Sequence, residues 1–145
     1  MRVRSLICAW RLSVMLVMLF WGQHAIANDG HRVEISLWIA GEPYESETFV
    51  ELSDGMGTLE VPNSHLLEFS IEPINDVAAP QGSVWLTVGV STWDASDQSW
   101  QHVTDTLLGA PMGQQQVLSL TQPDSEPTPE QSDVYLVATV HPNSK

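Results

Sequence analysis

The sequence predicts an all-β fold, a single antiparallel β-sandwich of about seven or eight short strands that follows a cleaved signal peptide. Three observations predict it. From residue 32 onward apolar and polar residues alternate, which is typical of strands with one buried face. Turn-forming glycine, proline and asparagine separate these runs. In addition, no window of ten or more residues places apolar side chains at helical spacing.

The N-terminal residues have the features of a Sec-type secretory signal. Three arginines and no acidic residue precede an apolar run over residues 12–21, which only Ser13 interrupts. Ala25 and Ala27 supply small side chains where signal peptidase requires them, so we expect cleavage after Ala27. The apolar run has ten residues, whereas a membrane span needs about 20. Residues 1–27 are therefore predicted to be a signal peptide and residues 28–145 a periplasmic or secreted domain that is not membrane-embedded.

Cleavage also changes the chemistry of the chain. The only cysteine, Cys8, lies before the apolar run, which argues against a lipoprotein and leaves the mature domain without a disulfide or thiolate ligand. Two basic residues, Arg32 and Lys145, remain against eighteen acidic ones, a net charge of −16. That charge repels nucleic acids and anionic lipids, but it is compatible with a basic protein partner or a cation, or simply with solubility.

The clearest strand covers residues 83–93 and is predicted to be central. Its alternate aliphatic residues, which share one face, are Val84, Leu86, Val88 and Val90. A short loop separates Trp93 from Trp100, so we expect these two residues to form a cross-strand aromatic pair.

The other strands are expected near residues 32–39, 44–52, 59–61, 67–71, 101–108, 117–120 and 134–140. Glycines in residues 53–57 predict a hairpin between the second and third of these strands. The last strand is expected to pair with an earlier one. Residues 121–133 contain no aromatic or aliphatic side chain and are predicted to form a flexible acidic loop.

Three runs occur in an order that suggests a family. They are ETFVELSDGMGTLEV at residues 47–61, LEFSIEPIND at 67–76 and SVWLTVGVS at 83–91. A strand, a glycine turn, a second strand, a Pro-Ile-Asn-Asp turn and a long alternating strand follow one another, and this resembles the C-terminal β-domain of bacterial secretins. The stretch 103–118 is similar to that family's last strands. The matching positions are Val50, Leu52, Gly55, Leu59, Val61, Leu67, Phe69, Ile71, Pro73, Ile74, Asn75, Asp76, Val84, Leu86, Val88 and Val90.

The resemblance implies a shared β-topology and an envelope-assembly setting. It covers roughly seventy residues and consists of strand patterns and turns. The sequence lacks the family's upstream periplasmic modules and the length of its gated pore, so the resemblance does not imply a channel.

No motif predicts catalysis, a metal site or a cofactor. The chain contains no G-x-S-x-G run and no H-x-H or H-E-x-x-H spacing, so we expect a protein that is not an enzyme. Two metal alternatives stay open. Acidic turns at 53–55 and 94–97 are compatible with calcium, and cleavage after Asn28 would create an amino-terminal copper chelator with His31. The four histidines beyond the signal are His31, His65, His102 and His141.

The tryptophans are the candidate binding residues, and they are Trp38, Trp85, Trp93 and Trp100. Alternation places Trp85 and Trp93 opposite the aliphatic face of their strand, so either a second sheet or a partner must cover them. The sequence leaves two functional hypotheses. One is a non-catalytic interaction or accessory module of the cell envelope, and the other is a periplasmic binder of a carbohydrate or metal ion.

Overall fold

The computed structural model describes residues 30–121 and 124–143, without the side chains of residues 45–47. The predicted signal peptide and its cleavage site lie outside these described residues. The strands are β1 (His31–Ile39), β2 (Glu42–Leu52), β3 (Met56–Val61), β4 (His65–Pro73), β5 (Val84–Asp94), β6 (Ser99–Ala110), β7 (Gln115–Thr121) and β8 (Ser132–Pro142).

The strands form two antiparallel sheets, which confirms the predicted all-β sandwich. The first sheet has the order β2-β1-β8-β7 and the second has the order β3-β4-β5-β6. β5 is an internal strand, as its sequence predicts. β8 pairs with β1 along its length, from His31 opposite Pro142 to Ile39 opposite Val134. Nowhere in the described part of the chain is there a helix with the length and apolar character to cross a membrane.

The core lies between the two sheets and is built from the alternate aliphatic residues of both. On β5 these are the predicted residues Val84, Leu86, Val88 and Val90, which are all buried. They pack with inward side chains of the other strands, among them Val33, Ile35, Leu37, Leu67, Phe69, Leu118, Leu136 and Val140. Burial of each such side chain contributes about 1.5–3 kcal/mol. Because the aliphatic residues point inward, the intervening residues of each strand form the two outer faces.

The turn between β2 and β3 differs from the prediction. Asp54 and Gly55 both have positive φ, 52° and 77°, as a two-residue hairpin turn requires. The turn closes a single bridge between Ser53 and Met56, and the chain then passes from the first sheet to the second. The predicted pairing of these two strands is therefore wrong, and the turn instead forms a corner of the sandwich.

The segment predicted to be a flexible acidic loop begins and ends in strands. Thr121 is the last residue of β7, and Ser132 and Asp133 are the first residues of β8. Between them Pro129–Gln131 forms one turn of 3-10 helix, and the Ser132 hydroxyl donates a hydrogen bond of 2.5 Å to the Thr128 carbonyl. The flexibility of this segment stays a prediction.

Candidate functional site

The four candidate tryptophans lie on opposite sides of the sandwich. Trp38 is on the outer face of the first sheet, where it pairs with Tyr135 at 5.6 Å between ring centroids and 80° between ring planes. Trp85, Trp93 and Trp100 are on the outer face of the second sheet, on β5 and β6. The structure therefore brings three of the predicted residues to one face and separates the fourth.

Trp93 and Trp100 form the predicted cross-strand pair. They are register partners on β5 and β6, and their rings meet edge to face with centroids 5.1 Å apart and an interplanar angle of 66°. Both side chains are half-buried. The register between β5 and β6 shifts between Val90 and Ser91, because Val103 is the extra residue of a β-bulge in β6.

Trp85 lies at the other end of the same face, eight residues from Trp93 along β5, which corresponds to roughly 27 Å. Its indole lies beside its register partner Gly109, so that a Cβ atom on Gly109 would be 3.4 Å from Trp85 Cζ3. Trp85 is 40% exposed, and Leu107, two residues before Gly109, is 60% exposed. We call the outward side chains Trp85, Trp93, Trp100 and Leu107 the β5–β6 surface.

A depression of about 330 Å³ lies on the outer face of the second sheet, across β3 and β4 and the middle of β5 and β6. Gly89 is one of its lining residues and lies in register between Glu68 of β4 and Asp105 of β6. A Cβ atom on Gly89 would be 3.0 Å from Asp105 Oδ1, so a larger residue would fill the depression. The Asp105 carboxylate is also 3.3 Å from His102 Nε2. Two carboxylates thus border the depression, with an aromatic group toward each end of the face.

Sequence reasoning did not find Leu107, Glu68 or Asp105. Gly89 lies on the same side of β5 as Trp85 and Trp93, as the alternating sequence pattern predicts. The acidic neighbours of Gly89 come from β4 and β6, and their positions depend on a register that only the folded sheet provides.

The outer face of the first sheet has polar contacts around Trp38's strand. The Arg32 guanidinium lies over the Phe49 ring, 5.0 Å from its centroid. His141 Nε2 and Glu34 Oε2 are 2.8 Å apart. On this face Arg32 therefore packs against an aromatic ring, and His141 lies beside a carboxylate.

The structure bears on the calcium alternative, whereas the amino-terminal copper chelator involves Asp29, which lies outside the described residues. Within residues 30–121 and 124–143, no three histidine, cysteine or acidic side chains gather closely enough to hold a metal ion. The Asp94 carboxylate accepts hydrogen bonds from the backbone N–H groups of Ser96 and Asp97 and from the Ser96 hydroxyl. These bonds, that of the Ser96 hydroxyl first, hold the pKa of Asp94 below its usual value, and they are those of an ordinary turn.

A cleft of about 270 Å³ opens at one end of the sandwich. His31 and Asp54 border it together with apolar side chains of both sheets, including Leu52 and Ile71. Its volume is just below the roughly 300–1,000 Å³ that is typical of small-molecule sites.

Comparison with known proteins gives no relative. No protein-family model, no curated protein and no solved structure matches the chain.

Proposed function

We propose that this protein is a non-catalytic, exported interaction module of the cell envelope that binds a protein partner through the β5–β6 surface. The observation that carries the proposal is the outward placement of Trp85 and Leu107. Their exposed fractions are 40% and 60%, although the core is already closed by other residues. Aromatic side chains of this kind act as anchors of protein interfaces because they bury a large area in a rigid shape.

The charge around this surface defines the class of partner. Glu68 and Asp105 border the depression on the same outer face of the second sheet, and the whole chain has a net charge of −13. A basic side chain of a partner would fit between the two carboxylates, and apolar residues of the partner next to that side chain would cover Trp85. Complementary charge of this kind accelerates association and selects against acidic proteins.

The exported location rests on the signal sequence, and N-terminal sequencing of the mature protein tests it. A first residue of Asn28 supports cleavage after Ala27, and it also rules out the amino-terminal copper chelator, which requires cleavage after Asn28. An intact Met1 would contradict cleavage of this signal. The envelope-assembly setting suggested by the secretin resemblance belongs to the same proposal.

The depression at Gly89 also favours a second candidate function, the binding of a carbohydrate. Carboxylates accept hydrogen bonds from sugar hydroxyls, and tryptophan rings stack on sugar faces. Titration of the protein with saccharides while tryptophan fluorescence is recorded separates the two functions. A saturable change that is lost in Gly89→Val would favour the carbohydrate, and an unchanged spectrum favours the protein partner.

Affinity capture from the protein's own envelope fraction tests the main proposal. We expect wild-type protein to retain a defined partner and the W85S/L107S variant to retain little of it. Val77→Ser is the matched control, because Val77 is fully exposed in the loop after β4 and lies outside the β5–β6 surface. Equal retention by all three proteins, or no partner above background, would contradict the proposal.

A further inference from the structure

We propose that the free edge of β7 binds an extended, basic segment of a partner protein, which adds a fifth strand to the first sheet. The edge of β7 would be a second binding surface of the proposed interaction module, and its ligand would be an extended basic segment. This proposal rests on the hydrogen-bond pattern of the sheet and does not depend on the β5–β6 surface.

The direction of the backbone groups of β7 follows from two hydrogen bonds at the ends of the β1–β8 ladder. Asn143 donates its N–H to the Gly30 carbonyl at 2.7 Å, and Ala40 donates to the Asp133 carbonyl at 2.9 Å. Residues of an antiparallel strand point their N–H and C=O groups alternately to the two sides. The odd-numbered residues of β8 therefore bond to β1, and the even-numbered residues bond to β7.

The register between β7 and β8 then identifies the unpaired groups. The even residues Leu136 and Ala138 of β8 lie opposite Leu118 and Gln116 of β7. The alternate residues of β7 consequently direct their N–H and C=O groups away from β8. These are Gln115, Val117 and Ser119, and they form a row of donors and acceptors along an edge that no described strand covers.

The other three edge strands carry features that hinder strand addition. β2 contains Pro43 and several glutamates, β3 has only six residues and contains Glu60, and β6 contains Asp105 and the bulge at Val103. Charges, proline, shortness and bulges are the ways in which natural sheets protect their edges. β7 has the sequence QQVLSLT, with no charge and no proline, and its register is regular from Gln115 to Leu120.

The 3-10 turn Pro129–Gln131, which precedes β8, lies away from the free edge of β7. A Cβ atom on Gly41 would be 3.2 Å from the carbonyl oxygen of Glu130, which places Pro129–Gln131 beside the turn between β1 and β2. That turn lies on the β1 side of β8, whereas the free edge lies on the opposite side. Val117, at the middle of the edge, is 50% exposed.

The negative charge of the chain favours a basic segment over an acidic one as the added strand. Residues 30–143 contain one arginine, Arg32, and no lysine, and the acidic residues Asp124 and Glu126 follow β7 in the sequence. A second copy of this chain would bring the same excess of negative charge to the edge and would be repelled. A partner segment that alternates apolar residues with lysine or arginine would instead gain both backbone pairing and attraction.

The proposal is tested by NMR: a synthetic peptide is titrated into the full exported protein labelled with ¹⁵N, and the amide signals of the protein are recorded. The probe is a capped seven-residue peptide of alternating valine and lysine, matched to the length of β7. We expect shifted amide signals and slowed amide exchange at Gln115, Val117 and Ser119. A glutamate-for-lysine peptide is expected to bind at least about tenfold more weakly, and added salt should weaken the lysine peptide.

Two controls separate strand addition from charge attraction alone. Val117→Pro removes one outward N–H and leaves the β7–β8 ladder intact, so it should abolish the shifts, whereas Val117→Thr should retain them. If V117P does not fold, a peptide N-methylated at every residue, which has no N–H donor on either edge, gives the same test and should not bind. Equal binding of the N-methylated peptide, shifts confined to another edge, or no binding would overturn the proposal. The W85S/L107S variant should bind the peptide like wild type, which distinguishes failure here from failure of the β5–β6 surface.

Discussion

Trp93 and Trp100 meet edge to face across the β5–β6 hairpin, one residue pair before its loop, with ring centroids 5.1 Å apart. This arrangement places the positive edge of one indole against the negative face of the other. The pair therefore stabilises the hairpin that bears the β5–β6 surface, in addition to the area that it buries.

A double-mutant cycle measures that contribution. We expect the free energies of unfolding of Trp93→Ala, Trp100→Ala and the double variant to give a coupling of about 0.5–1.5 kcal/mol. The same cycle with Trp85→Ala and Trp100→Ala is the control, because these residues lie at opposite ends of the face and should be additive within about 0.5 kcal/mol. Additivity of Trp93 and Trp100 would show that the ring contact does not stabilise the fold.

Gly57 is expected to tolerate no side chain. A Cβ atom there would be 2.7 Å from Val50 Cγ1, 2.8 Å from Leu52 Cδ2 and 2.9 Å from the Glu51 carbonyl oxygen. Overpacking of this kind costs about 1–3 kcal/mol, so Gly57→Ala should lower the free energy of unfolding by that amount in denaturant titration. Thr58→Ala, at the adjacent exposed position, should change it little. Equal stability of the two variants would contradict the close approach of β2 and β3.

His65 makes part of the stability dependent on pH. Burial of the imidazole lowers its pKa below 6.5, and Asp133 partly opposes this shift. Since the unfolded chain binds this proton more tightly, the free energy of unfolding should fall as pH decreases through 6.5 and level off below the folded-state pKa.

Replacement of His65 tests that assignment. His65→Gln should lose less stability than wild type between about pH 7.5 and the folded-state pKa of His65, as measured by urea unfolding at each pH. His102→Gln is the control, because the His102 side chain is 55% exposed. If both variants follow the wild-type curve, burial of His65 does not contribute to the pH dependence.

The predictable part of the fold is the part governed by local alternation. The period of two in Val84, Leu86, Val88 and Val90 requires one face of a strand to be buried, and that face lies in the core. The pair Trp93–Trp100 was predictable for a related reason, because a short hairpin loop fixes which residues lie opposite one another.

The arrangement of the sheets was not accessible from local pattern. The positive φ of Asp54 and Gly55 is that of a hairpin turn, and nothing in those residues indicates that the strands on either side separate into two sheets. Gly57 permits the separation, because its missing side chain lets β3 pass against Val50 and Leu52. The candidate sites also depend on the order of the strands. Glu68 and Asp105 lie on either side of Gly89 because β4 and β6 both pair with β5. β7 is an edge strand only in the assembled sheet.

Hydroxyl-radical footprinting of the protein, with and without the partner captured from its envelope fraction, tests whether that partner binds at the β5–β6 surface. The measured quantity is the labelling rate of Trp85 and Leu107, with Val77 as the internal reference. We predict that the partner lowers the rates at Trp85 and Leu107 and leaves that of Val77 unchanged. Unchanged labelling of Trp85 and Leu107 in the complex would contradict the β5–β6 surface as the site of interaction.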